Sequence, residues 1–362
     1  MLVNVMVTCL SMRFFGRRTV MTNLTRASRE LFRRTPDETF PSLTALSQFC
    51  RWQKEQSAEV WQPPRVLGTS PVDGERLMLT AGDAQAYRLN DWSFSQLCRL
   101  AGVSKETVNR LRPETADRVF RETLPPGDKP LQLFTEGGTL RSIHSASYTR
   151  LFNAELLDTV QEAAIDFQPP PKGIDDATGL YAGEQDLFCF LIDPTGWTEI
   201  GGEAFAPGLF VWNSEVGSRT VGVQTFWFQQ VCRNHIVWDA VEVVEFTRKH
   251  TANVRDSLGE IRQIIERLVA RRDQRRDGFV KVIHRAMQER LGDDADEVIK
   301  VLQGHGIQQS LAKKATEIAR QHGALTIFAL FDALTQISGT LRYAADRTAA
   351  DFKAARLLAL AA

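Results

Sequence analysis

The sequence predicts an α+β fold in which a mixed, antiparallel β-rich core is flanked by helical N-terminal and C-terminal regions. Aromatic and β-branched residues are concentrated between residues 180 and 247, which is typical of strands. Apolar residues recur every three or four positions from about residue 252 onward, which is typical of helices. The expected regions are a disordered or spurious extension, a helical N-terminal region, a β-rich core and a helical C-terminal region, over residues 1–21, 22–125, 126–251 and 252–362.

Residue spacing and turn residues predict the elements of the first half of the chain. Leu43, Leu46 and Phe49 have helical spacing, so the polar stretch around them should form a helix. Gly137 and Gly138 can supply the positive φ that a tight hairpin turn needs. In chain order we expect a mainly helical stretch, a group of short helices, a β-hairpin and a further helix, over residues 22–60, 91–123, 131–145 and 146–165.

The second half of the chain changes from strand patterns to helix patterns. Gly217 is expected to form a turn between two aromatic-rich strands. The helical spacing that follows extends to about residue 290, with a break expected near Gly278. A further helix is expected near residue 295, and an apolar helical stripe begins after Ala324.

The composition limits the class of protein and its compartment. Lys plus Arg and Asp plus Glu number 44 each, so the protein is not a globally basic binder, although a local basic patch is compatible with this balance. The five cysteines are few, odd in number and well separated, which predicts reduced thiols and a cytoplasmic protein. No apolar run approaches the roughly 18 residues that span a bilayer, so no membrane partner is expected.

The first 36 residues are strongly basic, with seven arginines and a single acidic residue, Glu30. One interpretation is a basic arm that contacts nucleic acid or lipid. The other, which we prefer, is an unstructured extension upstream of the functional start, with Met12 or Met21 as alternative first residues.

Several motifs that follow one another in order resemble a known family. The stretch FVWNSEVGSRTVGVQTFWFQQVCRNHIVW is followed by FTRKHT. Both resemble motifs of the phage- and plasmid-associated "domain of unknown function 932" family, over roughly residues 30–350, although His235 stands where the family usually has glycine. The family has no established reaction, so the resemblance implies a protein of a mobile genetic element without indicating a mechanism. No cofactor is expected. The motif residues are Asn213, Ser214, Glu215, Gly217, Cys232, Asn234 and His250.

Two features favour nucleic acid as the partner. Residues 261–290 contain nine Lys or Arg and four acidic residues, and four of these arginines are neighbours on one helix surface. The β-rich core interleaves aromatic and basic residues, which can stack bases and contact phosphates. The alternative is that the cations form a solvated face and the aromatic residues form core. We expect a non-enzymatic protein that binds single-stranded DNA. The expected binding residues are Trp212, Trp227, Arg219, Arg233, Arg248, Lys249, Arg271, Arg272, Arg275 and Arg276.

Residues 91–123 carry a possible helix-turn-helix, with Ser104 as the cap of its second helix. A recognition helix would present four side chains to bases. They are Lys105, Glu106, Asn109 and Arg110. The stretch has six basic and five acidic side chains, a small excess for phosphate binding. A structural helical hairpin is therefore the preferred interpretation.

Three further alternatives involve other residues. Cys232, His235 and His250 have part of a zinc spacing, but no fourth ligand has supporting spacing, so no metal is expected. An enzyme of unknown reaction would use the Asn213–Gly217 turn and His250; no known catalytic motif supports it, and no catalytic residue is assigned. The third alternative is a structural protein that forms homo-oligomers through its helical C-terminal third.

Overall fold

A computed structural model describes residues 30–82, 85–171, 179–230, 235–238, 245–321, 323 and 325–362, with backbone only for 235–238 and Arg272. Within these residues the chain forms two β-sheets, and helices pack against both. The predicted α+β class is confirmed.

The strands and helices have the following bounds. The strands are β1 (Glu38–Thr39), β2 (Ser57–Gln62), β3 (Leu67–Val72), β4 (Arg76–Ala81), β5 (Gln85–Leu89), β6 (Leu131–Glu136), β7 (Thr139–Ser145), β8 (Leu180–Ala182), β9 (Leu187–Ile192), β10 (Thr198–Ile200), β11 (Glu203–Asn213), β12 (Val221–Gln230), β13 (His235–Trp238) and β14 (Glu245–Arg248). The helices are α1 (Leu43–Glu55), α2 (Asp91–Leu100), α3 (Lys105–Val108), α4 (Pro113–Thr123), α5 (Asn153–Ala163), α6 (Ser257–Ala270), α7 (Arg272–Gln288), α8 (Ala295–Gly304), α9 (Gln309–Gln321), α10 (Ile327–Ser338) and α11 (Ala344–Ala355). Among the residues described, no helix is both long enough and apolar enough to cross a membrane.

The large sheet has the strand order β1-β8-β9-β11-β12-β13, with β10 also beside β11 and β14 also beside β12. Successive side chains of a strand point to opposite faces. On β9, Phe188 and Phe190 pack into a core with helices α7–α11, whereas Cys189 and Leu191 pack into a core with α1, α5 and α6. Because both faces are covered, β9 is apolar throughout and lacks the alternation of a half-exposed strand.

The small sheet has the strand order β2-β6-β7-β5-β4-β3, and it is mixed because β5 and β7 pair in parallel. Its helix-facing side chains, such as Leu79 and Leu133, share one core with Phe94 of α2 and Phe120 of α4. Strand β2 has β6 as its neighbour and forms one edge of this sheet. The small sheet therefore has its own core, separate from the two cores of the large sheet.

The structure confirms one prediction for the first half of the chain and corrects another. The predicted hairpin is present as β6 and β7, with Gly137 at φ 51° and Gly138 at φ 81°. The prediction of a helical region over residues 22–125 is wrong between Ser57 and Leu89, where β2–β5 lie. These strands are short and partly exposed, so they lack long apolar runs. The expected boundary after residue 125 falls inside the small sheet, which takes strands from both sides of it.

Two helix boundaries also differ from the predictions. The helix expected over residues 146–165 begins at Asn153, where the N-terminal turn of α5 contacts another loop. The break expected near Gly278 lies instead at Arg271, which separates α6 from α7 with φ −107° and ψ 19°. Gly278 stays inside α7, since one glycine costs a helix only about 1 kcal/mol.

Gly208 lies on β11, where the large sheet leaves no room for a side chain. A Cβ there would lie 2.5 Å from Phe226 Cζ and 2.7 Å from Leu191 O. We expect Gly208→Ala to lower the free energy of unfolding by roughly 1–3 kcal/mol, measured by urea denaturation. The matched control is Gly259→Ala on α6, where a Cβ meets nothing within 4 Å and stability should be unchanged or slightly higher. Equal stability of Gly208→Ala and the wild type would contradict the packing of this strand.

Candidate nucleic-acid interface and the buried motif cluster

The arginines predicted to bind nucleic acid do not form one free surface, because carboxylates lie beside several of them. Arg219 Nε lies 3.2 Å from Asp186 Oδ1, whose side chain is buried. Arg248 pairs with Glu260 and also lies 3.9 Å from Asp256. A phosphate would have to displace these carboxylates to reach Arg219 or Arg248.

The remaining predicted cations differ in their exposure, and some of them lie outside the described residues. Arg275 is buried, whereas Arg271 and Lys249 are exposed. Arg233 lies outside the described residues, and so do Cys232 and Asn234 of the motif. The side chain of Arg272 is also outside the described part of the chain.

Trp212 and Trp227 are core residues, so the prediction that they stack bases is wrong. The ring of Trp227 is fully buried and stacks on Phe279 of α7, with centroids 4.2 Å apart. The ring of Trp212 stacks on Phe210 at 4.9 Å and covers Gly222, where a Cβ would lie 2.3 Å from Trp212 Cζ2. Both side chains belong to the core that the C-terminal helices cover, which was the alternative considered from the sequence.

A cleft at the junction of α6 and α7 brings part of the predicted basic cluster to an aromatic side chain. This Arg271 cleft has a volume of about 370 Å³, and its lining includes Thr195, Trp197, Arg271, Gln274 and Arg276. Arg271 makes no ion pair with any described carboxylate. The cleft therefore combines a free guanidinium, an amide and a tryptophan that the sequence analysis did not select.

Arg276, on the same wall of the Arg271 cleft, has weak partners. Its Nη1 lies 3.1 Å from Asp273 Oδ1 and its Nε lies 3.4 Å from Asp277 Oδ1. Both carboxylates are more than two-thirds exposed, at 80% and 68%. Exposed ion pairs of this kind contribute about 0–1 kcal/mol, so an incoming phosphate can replace them at little cost.

The motif residue Glu215 is buried and joins the two sheets. Its Oε2 accepts a hydrogen bond from Arg141 Nη1 at 2.8 Å, and Arg141 belongs to β7 of the small sheet. Its Oε1 accepts the backbone N–H of Asn153, the first residue of α5, also at 2.8 Å. A carboxylate at a helix N-terminus is favoured by the helix dipole. Glu215 thus connects the loop after β11 of the large sheet with β7 and with α5.

The other side chains of the motif turn are also bonded within the protein. Asn213 Nδ2 donates to Leu151 O at 2.9 Å and to Asn153 Oδ1 at 2.8 Å. Ser214 Oγ donates to Gln185 O at 2.6 Å. These contacts give the turn a structural role in holding the chain before α5 and the turn before β9.

The motif turn and His250 meet at Tyr148, although they are distant in sequence. Tyr148 OH donates to Ser214 O at 3.2 Å and to Glu215 O at 3.0 Å. The Tyr148 ring stacks on His144 at 3.7 Å and on His250 at 5.4 Å between centroids. Tyr148 therefore links His250 to the predicted turn.

Gly217 completes the turn, and here only glycine fits. Its φ is 72°, a conformation that other residues rarely adopt. A Cβ at Gly217 would lie 2.8 Å from His144 Cε1 and 3.0 Å from Tyr148 Cε2. The predicted turn at Gly217 is confirmed, and the packing of His144 and Tyr148 explains it.

The two histidines beside Tyr148 are neutral at physiological pH. Burial, together with the charge of the nearby Arg150 guanidinium, lowers the pKa of His250 to about 4. Burial and the Arg150 charge also lower the pKa of His144 to about 3. An imidazole with such a low pKa does not act as an acid near neutral pH.

Arg150 is a buried residue of this cluster that the sequence analysis missed. It donates from Nε to Glu59 Oε1 at 2.9 Å and from Nη2 to Gln132 Oε1 at 3.0 Å, and it also bonds Glu215 O. Its guanidinium lies over the Phe134 ring at 3.5 Å. Local sequence patterns do not indicate these partners, since Glu59 is 91 residues from Arg150.

The possible helix-turn-helix is a structural hairpin. Ser104 caps α3 by accepting the N–H of Thr107 at 3.3 Å, as predicted, but α3 has only four residues. Lys105 pairs with Asp91 at 2.7 Å. The Asn109 side chain bonds the backbone of the segment before β1. The predicted recognition helix is therefore a single turn, too short to lie along a major groove as such helices do.

The described residues contain no group of three or more His, Cys, Asp or Glu that could hold a metal ion. Cys232 lies outside these residues, and the side chain of His235 is also outside them. The zinc alternative therefore has no supporting geometry in the part of the chain that is described.

Comparison with known proteins adds no assignment: no family model matches the chain, and no significantly similar curated protein or solved structure was found. The resemblance to the phage- and plasmid-associated family stays a prediction based on the motif residues. Fold and site together define an α+β protein with two sheets joined by a buried polar cluster.

Loss of the Glu215 carboxylate should destabilise the whole fold. In Glu215→Ala, Arg141 would lose a charged partner that is buried with it and would keep Glu136, which lies 3.3 Å from its Nε. Breaking a buried pair from one side costs about 3–5 kcal/mol when the remaining charge has no other partner. Because Arg141 keeps Glu136, we expect a smaller fall of roughly 1–3 kcal/mol in the free energy of unfolding, measured by urea denaturation. Asp158→Ala, which breaks the exposed pair with Arg51, is the control and should have little effect. Equal stability of the two variants would show that Glu215 does not join the sheets.

The low pKa of His250 predicts a loss of stability in acid. The folded state takes up this proton only near pH 4, whereas the unfolded chain takes it up near its ordinary value of about 6.5. Stability from neutral His250 is therefore present above about pH 6.5 and is lost as the pH falls toward 4, by roughly 3 kcal/mol in total. His250→Gln should flatten this part of the pH profile of the melting temperature. An unchanged slope would contradict the burial of a neutral His250.

Proposed function

We propose that the protein is a non-enzymatic nucleic-acid-binding protein of a mobile genetic element, and that single-stranded DNA is its preferred ligand. The observation that carries the proposal is the Arg271 cleft, whose lining contains Trp197 and the exposed guanidinium of Arg271, which pairs with no carboxylate in the described part of the chain. Phosphates bind such cations, and exposed aromatic rings stack bases in proteins that bind single strands. The origin in a mobile element is supported by the motif resemblance alone.

A single strand suits the described surface better than a duplex. Reading a duplex in the major groove needs a helix or ribbon that enters the groove, and α3 is a single turn whose polar residues are partly engaged. The Arg271 cleft offers instead one ring and a few donors within about 370 Å³. This space matches a flexible chain that can turn one nucleotide at a time into a pocket.

In this proposal Trp197 stacks on a base, the role that was predicted from the sequence for Trp212 and Trp227. It is partly exposed in the cleft wall and makes an edge contact with Phe228, with centroids 6.1 Å apart. The edge contact fixes the ring and leaves its cleft side for a base. Oligomer formation by the C-terminal helices is a separate prediction, tested by sedimentation velocity without nucleic acid.

Charge reversal in the Arg271 cleft should weaken binding. We expect the double variant Arg271→Glu with Arg276→Glu to bind a labelled oligothymidylate at least about tenfold more weakly, measured by fluorescence anisotropy over a salt series. The slope of log affinity against log salt should fall by about 0.7 for each lost phosphate contact.

The matched control for this experiment is Lys313→Glu with Lys314→Glu on α9. Both lysines are exposed and make no ion pair with a described residue, and the double change alters the net charge equally. If the two double variants lose the same affinity, binding depends on net charge and the cleft is not the site. If the wild-type protein binds no oligonucleotide, the proposed function is wrong.

A further inference from the structure

We propose that a second cleft, beside the edge strand β2, holds one further nucleotide of the same single strand; this inference rests on the proposed function. The β2 cleft has a volume of about 360 Å³. Its lining includes Glu59, Phe134, Thr149, Arg150, Phe152 and Arg255. The volume lies at the small end of the range for ligand pockets, which suits a single nucleotide.

The two arginines of the β2 cleft differ in burial and in hydrogen bonding. Arg150 is buried in the floor, and its guanidinium is bonded to Glu59, to Gln132 and to Glu215 O. Arg255 is exposed, and its side chain makes no ion pair or hydrogen bond with any described residue. Arg255 is therefore the cation of this cleft that can contact a phosphate, whereas Arg150 fixes the shape of the floor.

Trp61 supplies the exposed aromatic ring next to the cleft. In the pairing of β2 with β6, Trp61 lies opposite Gln132 and Glu59 lies opposite Phe134. Residues directly opposite in an antiparallel pair point to the same face of a sheet. Trp61 therefore lies on the same face of the sheet as Glu59, two residues further along β2. Trp61 is 47% exposed.

The inner rings of the β2 cleft are less suited to stacking. The Arg150 guanidinium covers a face of Phe134 at 3.5 Å, and Lys54 Nζ lies over Phe152 at 4.8 Å. The Tyr148 ring already stacks on the rings of His144 and His250. A base would stack on Trp61, with its phosphate directed to Arg255. The hydroxyl of Thr149 in the cleft lining is then available to the sugar or the base edge.

The test uses the full chain, a labelled oligothymidylate and fluorescence anisotropy. We expect Trp61→Ala to bind about tenfold more weakly, since stacking on one ring contributes that order of affinity per base. Arg255→Glu should weaken binding and reduce the salt slope. The controls are Trp52→Ala, which removes an exposed tryptophan of helix α1, and Arg118→Glu, which changes an exposed arginine on α4. Both controls should keep wild-type affinity.

A second measurement separates stacking from a loss of folding. In fluorotryptophan-labelled protein, the fluorine resonance of Trp61, assigned by its absence in Trp61→Phe, should shift when oligothymidylate is added. An unchanged Trp61 resonance, or equal effects of the Trp61 and Trp52 variants, would contradict the proposal that the β2 cleft binds a nucleotide. If the Arg271 and Arg276 double variant fails to bind while Trp61→Ala and Arg255→Glu bind normally, the proposed function stands and this inference is wrong. If the wild type binds no oligonucleotide, both are wrong.

Discussion

The buried carboxylate of Glu215 joins the loop after β11 of the large sheet to β7 of the small sheet. A charge removed from water is tolerated only when its lone pairs are satisfied, and here the guanidinium of Arg141 and the first N–H of α5 satisfy them. Separating the sheets would leave the Glu215 carboxylate without Arg141, whereas Arg141 would keep Glu136 of its own sheet at 3.3 Å. The loop after β11 is consequently fixed in place, Tyr148 packs on its carbonyls, and Gly217 is needed where that packing leaves no space for a side chain.

This constraint also separates the motif residues from the residues that are free to bind a ligand. Asn213 Nδ2, Ser214 Oγ and both carboxylate oxygens of Glu215 bond to protein partners. Arg271 and Arg255, which pair with no described carboxylate, line two clefts outside the motif. A sequence motif can therefore record what the fold needs, while the proposed binding uses surface residues that the motif does not include.

Local sequence patterns were enough to predict the α+β class, the β6–β7 hairpin and most C-terminal helices, because spacing and turn glycines act over a few residues. Whether one face of a strand is exposed to solvent or buried in the core does not depend on the local sequence alone. Trp212 and Trp227 have the same pattern whether they face solvent or core, and the covering helices come much later in the chain. The pairing of Arg150 with Glu59 is also distant in sequence. Strands β2–β5 of the small sheet were missed because their exposed faces interrupt the apolar pattern.

The zero net charge of the chain limits how much electrostatic attraction can contribute to the proposed binding of a polyanion. With 44 basic and 44 acidic side chains, the protein has no overall excess of positive charge that would attract a polyanion. Where only a few phosphates are contacted, counterion release adds little affinity, and the affinity falls only gently with salt. Stacking on a ring does not depend on salt in this way. A neutral protein that binds a single strand therefore needs each free cation close to an aromatic ring, as Arg271 is to Trp197 in the Arg271 cleft.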